Sequence, residues 1–209
     1  MVVQILVDNP DSWIVPFARG LMEKLVGSGS DASLLFDPNE VKKGDILCLL
    51  ACEKVFDKLS LNKHNLVVHE SALPQGKGWS PLTWQVLEGK NEIPITLFEA
   101  EKDVDSGPIY YQELIKLKGD ELIDEIRTAQ GQATVNLIMK FIANFPNNKG
   151  IAQAGNATYY KRRVAKDSLL SMDKTLKEQF NLLRVVDNER YPAFFEYKGV
   201  KYKVTINKL

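Results

Sequence analysis

Residues 46–51, Ile46-Leu47-Cys48-Leu49-Leu50-Ala51, are apolar throughout. A strand with one wet face would alternate apolar and polar residues, whereas an unbroken run fits a strand covered on both faces of a parallel sheet. Three runs of the same character surround it: Val2–Val7 and Ser33–Phe36 upstream, and Asn65–His69 downstream. Helix-length stretches lie between them. Ser12–Val26 begins with Asp11 or Ser12 as a cap and stops at Gly27-Ser28-Gly29-Ser30, where glycine ends a helix. The order strand, helix, strand, strand, helix, strand predicts a three-layer α/β fold, a Rossmann-like, open, mostly parallel sheet flanked by helices.

Beyond His69 the pattern changes. A Pro/Gly-rich loop, Glu70–Gly78, precedes a helix over Pro81–Glu88 that Gly89 ends, and Ile95–Ala100 and Ile109–Leu117 read as strands around a charged loop, Glu101–Gly107. Asp120 is placed to cap a long helix whose apolar residues Leu122, Ile126, Ala129, Ala133, Leu137 and Phe141 recur at a period of about 3.6. Leu176, Phe180 and Leu183 predict a further amphipathic helix. Ala193–Tyr197, Lys198-Gly199 and Val200–Ile206 predict a hairpin with a two-residue turn.

The 209 residues carry 27 Lys plus Arg against 27 Asp plus Glu, with 44% apolar content, a balance outside the disordered, collagen-like and disulfide-scaffold classes. The longest apolar run, Ile46–Cys52, has seven residues, against about 20 for a membrane span. The N-terminus has neither the basic region nor the small-residue cleavage site of a signal peptide, so the expected location is the cytoplasm. Cys48 and Cys52 fit small buried residues better than a disulfide or a metal site. Charge is uneven: residues 150–209 hold 12 Lys plus Arg against 6 Asp plus Glu. Together with the turn-rich stretch Pro146-Asn147-Asn148-Lys149-Gly150, this divides the chain into a catalytic domain, 1–149, and a small α+β C-terminal subdomain, 150–209, that contains the hairpin.

Only two histidines are present. His64, among Asn62, Lys63 and Asn65, reads as a solvated surface residue. His69 falls at the carboxyl end of an apolar strand, the edge where open α/β sheets form ligand crevices; alone it fits either catalysis or a hydrogen-bonded structural role. Its neighbours in sequence are His69-Glu70-Ser71-Ala72-Leu73-Pro74, Gly76-Lys77-Gly78 and Pro81, followed by Asp103-Val104-Asp105-Ser106-Gly107-Pro108-Ile109. This constellation resembles the folate-dependent formyltransferase family, in which an Asn-x-His-x-Ser-x-Leu-Pro segment precedes an Asp-[Ser/Thr/Gly]-Gly loop. The 36 residues from His69 to Asp105 agree with that family's spacing, and the resemblance extends over about Val2 to Phe141. Tyr159-Tyr160-Lys161-Arg162-Arg163 and Asn188-Glu189-Arg190-Tyr191-Pro192-Ala193-Phe194-Phe195 resemble the tail of formyltransferases that act on amino sugars.

The resemblance implies formyl transfer from 10-formyltetrahydrofolate to a primary amine of an amino sugar in surface-glycan biosynthesis. The sugar would be either nucleotide-linked or a nine-carbon acid of the pseudaminic type. His69 would stand beside the developing oxyanion and the attacking nitrogen, and Asp105 would support the imidazolium. The resemblance also implies a pterin site between two loops, Cys52, Glu53, Lys54 and Val55 on one and Glu99, Ala100, Asp103 and Val104 on the other, chiefly through backbone groups. Asn9, Asp11, Ser12 and Trp13, with Ser71, Lys77 and Trp79, either line a sugar pocket or serve as caps and core. Arg162 and Arg163 either meet an acidic acceptor or are solvated charges. No metal and no dinucleotide is indicated, since no Gly-x-Gly-x-x-Gly follows the first strand.

One position departs from the family. Val67 stands where it carries a catalytic asparagine, and Asn65 lies on the same strand about 13 Å from His69. Losing one oxyanion donor costs about 2.7–4 kcal/mol, so either a replacement comes from a backbone N–H of the Glu70–Lys77 loop or from the substrate, or turnover is slow or absent. The alternatives are a formyltetrahydrofolate hydrolase, a methionyl-tRNA or glycinamide ribonucleotide formyltransferase, and a non-catalytic folate- or sugar-binding relative. No nucleic-acid or membrane partner is expected. The hairpin residues Phe194, Phe195, Tyr197 and Tyr202 either pair across a two-fold axis or pack on their own domain, and a homodimer is the expectation.

Overall fold

The computed structural model describes residues 1–209. In chain order its elements are β1 (Val2–Leu6), α1 (Val15–Gly27), β2 (Asp31–Leu35), β3 (Gly44–Leu49), β4 (Asn62–His69), β5 (Lys77–Gly78), α2 (Pro81–Leu87), β6 (Glu92–Glu99), β7 (Ile109–Lys116), α3 (Ile123–Asn144), β8 (Tyr159–Tyr160), α4 (Phe180–Val185), β9 (Ala193–Tyr197) and β10 (Val200–Val204). The central sheet runs β2-β1-β3-β4-β6-β7, with β5–β8 and β9–β10 as separate pairs. Strands β1 to β4 are parallel, and β6 is antiparallel to both neighbours. The order reverses between β1 and β3, the switch point at which such sheets leave a crevice beyond the strand ends.

The apolar runs form strands because both faces are covered. Val3, Ile5, Ile46, Cys48 and Leu66 join Ala18, Leu21 and Leu25 of α1, Leu82 and Val86 of α2, and Ile126, Leu137 and Phe141 of α3 in one cluster. At Gly131 of α3 a Cβ would come within 2.5 Å of the Phe17 ring, so the absent side chain is what lets α1 and α3 approach. The alternate side chains, Leu6, Leu47 and Leu49, pack instead with Val41 and Phe56 and with half-buried Leu59, Leu61 and Val67. Extended chain and short 3-10 turns at Pro38–Glu40 and Leu59–Leu61 cover this second face. The helix expected between β3 and β4 is therefore absent. Glu53-Lys54-Val55-Phe56-Asp57-Lys58 offers one buried anchor, Phe56, where a helix needs a repeating apolar stripe.

Helix ends also differ from the sequence reading. Neither Asp11 nor Ser12 caps α1. Asn9 Oδ1 accepts from the Asp11 amide at 3.0 Å, and the helix begins at Val15 with Pro16 in its first turn, where the missing N–H has no consequence. Asp120 does not cap α3; Glu121 accepts from the Lys118 and Gly119 amides at 2.5 and 3.0 Å, and Glu125 accepts from the Leu122 amide at 2.9 Å. Leu176 is exposed and lies before α4. There Gln179 Nε2 donates to the Ser171 and Lys174 carbonyls and winds the chain into turns. The hairpin forms with Lys198 and Gly199 at φ of 50° and 77°, the two left-handed residues that its short turn requires.

Arg184, 1% exposed, fastens the C-terminal residues to the rest. It donates to Glu121 O at 3.0 Å, Glu121 Oε2 at 2.9 Å and Asn91 Oδ1 at 3.0 Å. Arg127 reaches Asp187 Oδ2 at 2.9 Å. Burial pushes the Glu121 and Asp187 carboxyls up, but the backbone N–H groups that they accept and the adjacent arginines outweigh it, leaving both below their ordinary values of 4.5 and 3.8. A carboxyl depressed in the fold contributes stability above its unfolded pKa and loses it as pH falls through the folded value. The urea midpoint of the protein should therefore drop once pH falls below about 4.5, and Asp187→Asn should make that dependence shallower. At neutral pH, Arg184→Ala should cost about 1–3 kcal/mol in urea unfolding, because it leaves the Glu121 carbonyl and carboxylate and the Asn91 side chain without the donor that now serves them.

Candidate active site

β4 ends at His69, opposite Thr96 of β6. His69 is buried, and its Nε2–H donates to the Gly76 carbonyl at 2.8 Å. Asp105, from the loop between β6 and β7, accepts the Gly78 N–H at 2.9 Å and places Oδ2 3.8 Å from His69 Nε2. The two side chains are thus held by backbone groups on either side of Lys77. Asp105 sits at φ 55°, a left-handed conformation that aspartate tolerates better than most residues. Gly107 lies so close to the Glu99 carbonyl that no Cβ would fit, which folds the Asp105 loop tightly over the sheet. Thr96, fully buried, donates to Ser71 O at 2.6 Å and accepts from Gln112 Nε2 at 2.9 Å. Burial pushes the Glu70 carboxyl up, opposed by His69 and by a hydrogen bond from Gln130.

Ser71 Oγ is buried without a hydrogen-bond partner. Ser71 and Gly76 border a polar cavity of about 240 Å³, whose other walls include Gln85, Lys90, Glu92 and Thr158. Lys77 is buried between the two backbone groups that hold His69 and Asp105. Trp79 is exposed, with the Arg162 guanidinium 4.6 Å from its ring centroid. Arg163 turns back on its own segment, donating to Asp167 O at 3.1 Å and Ser168 Oγ at 3.3 Å, and burial lowers its pKa. Asn9, Asp11 and Ser12 form the turn before α1. Trp13 packs on the main cluster, edge-on to Phe17 at 6.1 Å.

Asp8, which the sequence reading passed over, organises the loop after β3. Its carboxylate accepts the Glu53 and Lys54 amides at 2.8–3.0 Å, so these two backbone donors are already engaged. The Cys52 thiol donates to Leu6 O at 3.4 Å, and burial, with Asp8 nearby, pushes its pKa up to about 12. Val55 and Val104 are exposed, at 71% and 62%. Asp103 is exposed and its carbonyl accepts from Ser106 Oγ at 2.6 Å. Glu99 bonds the Asn65 amide, Tyr110 Oη at 2.7 Å and His64 Nδ1 at 3.0 Å, and the Ala100 amide donates to Asn65 O at 2.7 Å. These contacts tie the end of β6 to β4. His64 is accordingly no surface residue: it is half-buried among Tyr110, Phe141 and Phe145, because α3 covers that face of β4.

Val67 packs in the second cluster, and three of the amides near it in the chain or in the Glu70–Lys77 loop are already engaged. Asn65 Nδ2 is committed to Leu59 O at 2.9 Å, while the Gly76 and Lys77 amides donate to Thr158 Oγ1 and Thr158 O, each at 2.9 Å. Thr158 and Gln153, whose Nε2 donates to the Asp105 and Gly107 carbonyls at 3.0 and 2.9 Å, carried no signal in the sequence. Their partners lie roughly fifty to eighty residues away, and neither residue belongs to a local motif.

Among solved structures, the fold is similar to methionyl-tRNA formyltransferase from Clostridium thermocellum, at 19% identity over 100% of this chain and 92% of that chain, with a TM-score of 0.83. It is also similar to a sugar N-formyltransferase from a Shewanella species, at 16% identity over 99% and 97%, TM-score 0.73. A third likeness is to HypX from Aquifex aeolicus in complex with tetrahydrofolic acid, at 13% identity over 98% of this chain and 37% of that chain, TM-score 0.75. At these identities the likeness is one of fold. Residues 37–142, just over half of the chain, match the family model described as Formyl transferase. His69 and Asp105 lie within the matched span, and the chain belongs to the formyl transferase family.

Proposed function

We propose that this enzyme transfers the formyl group of 10-formyltetrahydrofolate to a primary amine of an amino sugar, with residues 1–149 carrying the chemistry. The observation that carries the reading is the buried His69–Asp105 pair, 3.8 Å apart, in a chain of the formyl transferase family. The folate supplies an activated formyl carbon. Exposed Val55 and Val104 offer apolar surface to its flat ring on the two loops assigned to the pterin. The complex of HypX with tetrahydrofolic acid supports the donor class.

With Nε2–H committed to Gly76 O, neutral His69 is the tautomer whose lone pair is on Nδ1, so Nδ1 accepts the proton lost by the attacking amine. The resulting imidazolium stands near the Asp105 carboxylate, an attraction of about 4 kcal/mol at an effective dielectric of about 20. The new nitrogen–carbon bond replaces the folate nitrogen–formyl bond, and the proton held on His69 returns to the departing nitrogen. Val67 has no donor for the formyl oxygen. In this reading a backbone N–H of the Glu70–Lys77 loop or a group of the substrate supplies one.

The polar cavity beside Ser71 and Gly76 favours a hydroxylated acceptor, and the solved sugar N-formyltransferase supports the same class. Lys77, with Arg162 on Trp79, suits an anionic acceptor, either a nucleotide-linked sugar or a nine-carbon sugar acid. The free cysteines Cys48 and Cys52 suit a reducing compartment, and the proposal places the reaction in the cytoplasm.

A mass-spectrometric screen of amino sugars with 10-formyltetrahydrofolate should yield a product heavier by one carbonyl. Formate release without any amine would instead identify a hydrolase, and folate binding without either product a non-catalytic relative. His69→Asn and Asp105→Asn should each lower kcat by on the order of 10²–10⁴ while leaving the thermal unfolding midpoint within a few degrees of the parent. Near-parental turnover in either variant removes the assignment.

A further inference from the structure

The catalytic pair joins two loops, and a third segment, outside the residues that match the family model, crosses both. Ile151 pairs with Ile109 through two hydrogen bonds of 2.8 Å, where β7 leaves the Asp105 loop. Two residues on, Gln153 Nε2 donates to Asp105 O at 3.0 Å and Gly107 O at 2.9 Å. The chain then reaches the other loop. Thr158 Oγ1 accepts the Gly76 amide and Thr158 O the Lys77 amide, both at 2.9 Å, while Tyr160 O accepts the Trp79 amide at 3.2 Å. β8 lies parallel to β5, with Gly78 facing Tyr160 so closely that a Cβ there would come within 2.5 Å of the Tyr160 carbonyl oxygen.

We propose that Gln153 and Thr158 are positioning residues: the segment Ile151–Tyr160 is a strap that fixes the distance between the Asp105 loop and the Gly76 loop, and so sets the His69–Asp105 geometry. Gln153 holds the carbonyl of the left-handed Asp105, which directs its carboxylate. Thr158 holds the amide of Gly76, whose carbonyl holds His69. Neither residue touches the reacting atoms. The role in turnover rests on the proposed formyl transfer, whereas the geometry does not.

The test uses the full chain and Gln153→Met, Thr158→Val and Thr158→Ser. With only two histidines present, the His69 imidazole can be followed by NMR, His69→Asn identifying its signal. The His69 ring signals report the bond from Nε2–H to Gly76 O, so loosening the strap should shift or broaden them in Gln153→Met and Thr158→Val and leave them in place in Thr158→Ser. In the formyl-transfer assay the first two should lose about tenfold or more in kcat at an unchanged donor KM. Thr158→Ser should retain both parameters. Unmoved His69 ring signals in folded Gln153→Met, or equal behaviour of Thr158→Val and Thr158→Ser, overturn the strap. Shifted ring signals in a protein that formylates no amine support the strap and overturn the proposed reaction instead. If Gln153→Met does not fold, the Thr158 pair decides.

Discussion

His69 and Asp105 are held by one short piece of backbone. The Gly76 carbonyl takes the imidazole N–H, and the Gly78 amide gives to the carboxylate, so the pair is spaced by a peptide frame rather than by direct contact. That frame is tightly constrained. Gly78 sits at φ 95° under the Tyr160 carbonyl, where neither the backbone angle nor the space admits a side chain. A template of this kind holds an imidazole and a carboxylate in geometry without having to immobilise long side chains. It also fixes the histidine tautomer, which decides the nitrogen that can accept a proton.

The rest of the fold keeps that frame in place. Parallel strands β1 to β4 end on one edge, and there the Asp105 loop lies beside His69, bonded to the Gly78 amide. Asp8 closes the switch point by binding the loop after β3, and Glu99 binds the end of β6 to β4 through His64, Tyr110 and the Asn65 amide. The residues that follow the strap are held by the buried Arg184 on Glu121 and Asn91. Through Gln153, Thr158 and Arg184 the C-terminal residues bond to the Asp105 loop, the Gly76 loop and Glu121.

The elements that could be read in advance share a cause. Unbroken apolar runs become buried strands, glycine clusters stop helices, and a Lys-Gly pair between alternating aromatic strands makes a two-residue turn; each depends on neighbours within a few residues. His64 was misread because its polar sequence neighbours point elsewhere, and only α3, sixty residues later, covers its face. The absent helix between β3 and β4 has the same origin, since one buried Phe56 and the Asp8 carboxylate hold the segment without a helical repeat. Asp11, Ser12 and Asp120 are residue types that cap helices, yet backbone amides that donate to Asn9 and Glu121 turn the chain before the helices begin.

Local periodicity and motif spacing are written in consecutive residues, so the sheet class and the family are legible before any folding, and His69 and Asp105 stand out as the pair proposed for the chemistry. Tertiary structure alone decided which nitrogen of His69 is free, that Ser71 keeps an unpartnered hydroxyl, and that Asp8, Thr96, Gln153 and Thr158 support the site. Hydrogen bonds between residues tens of positions apart obey no sequence period; they exist only once the packed sheet has brought their backbones within reach.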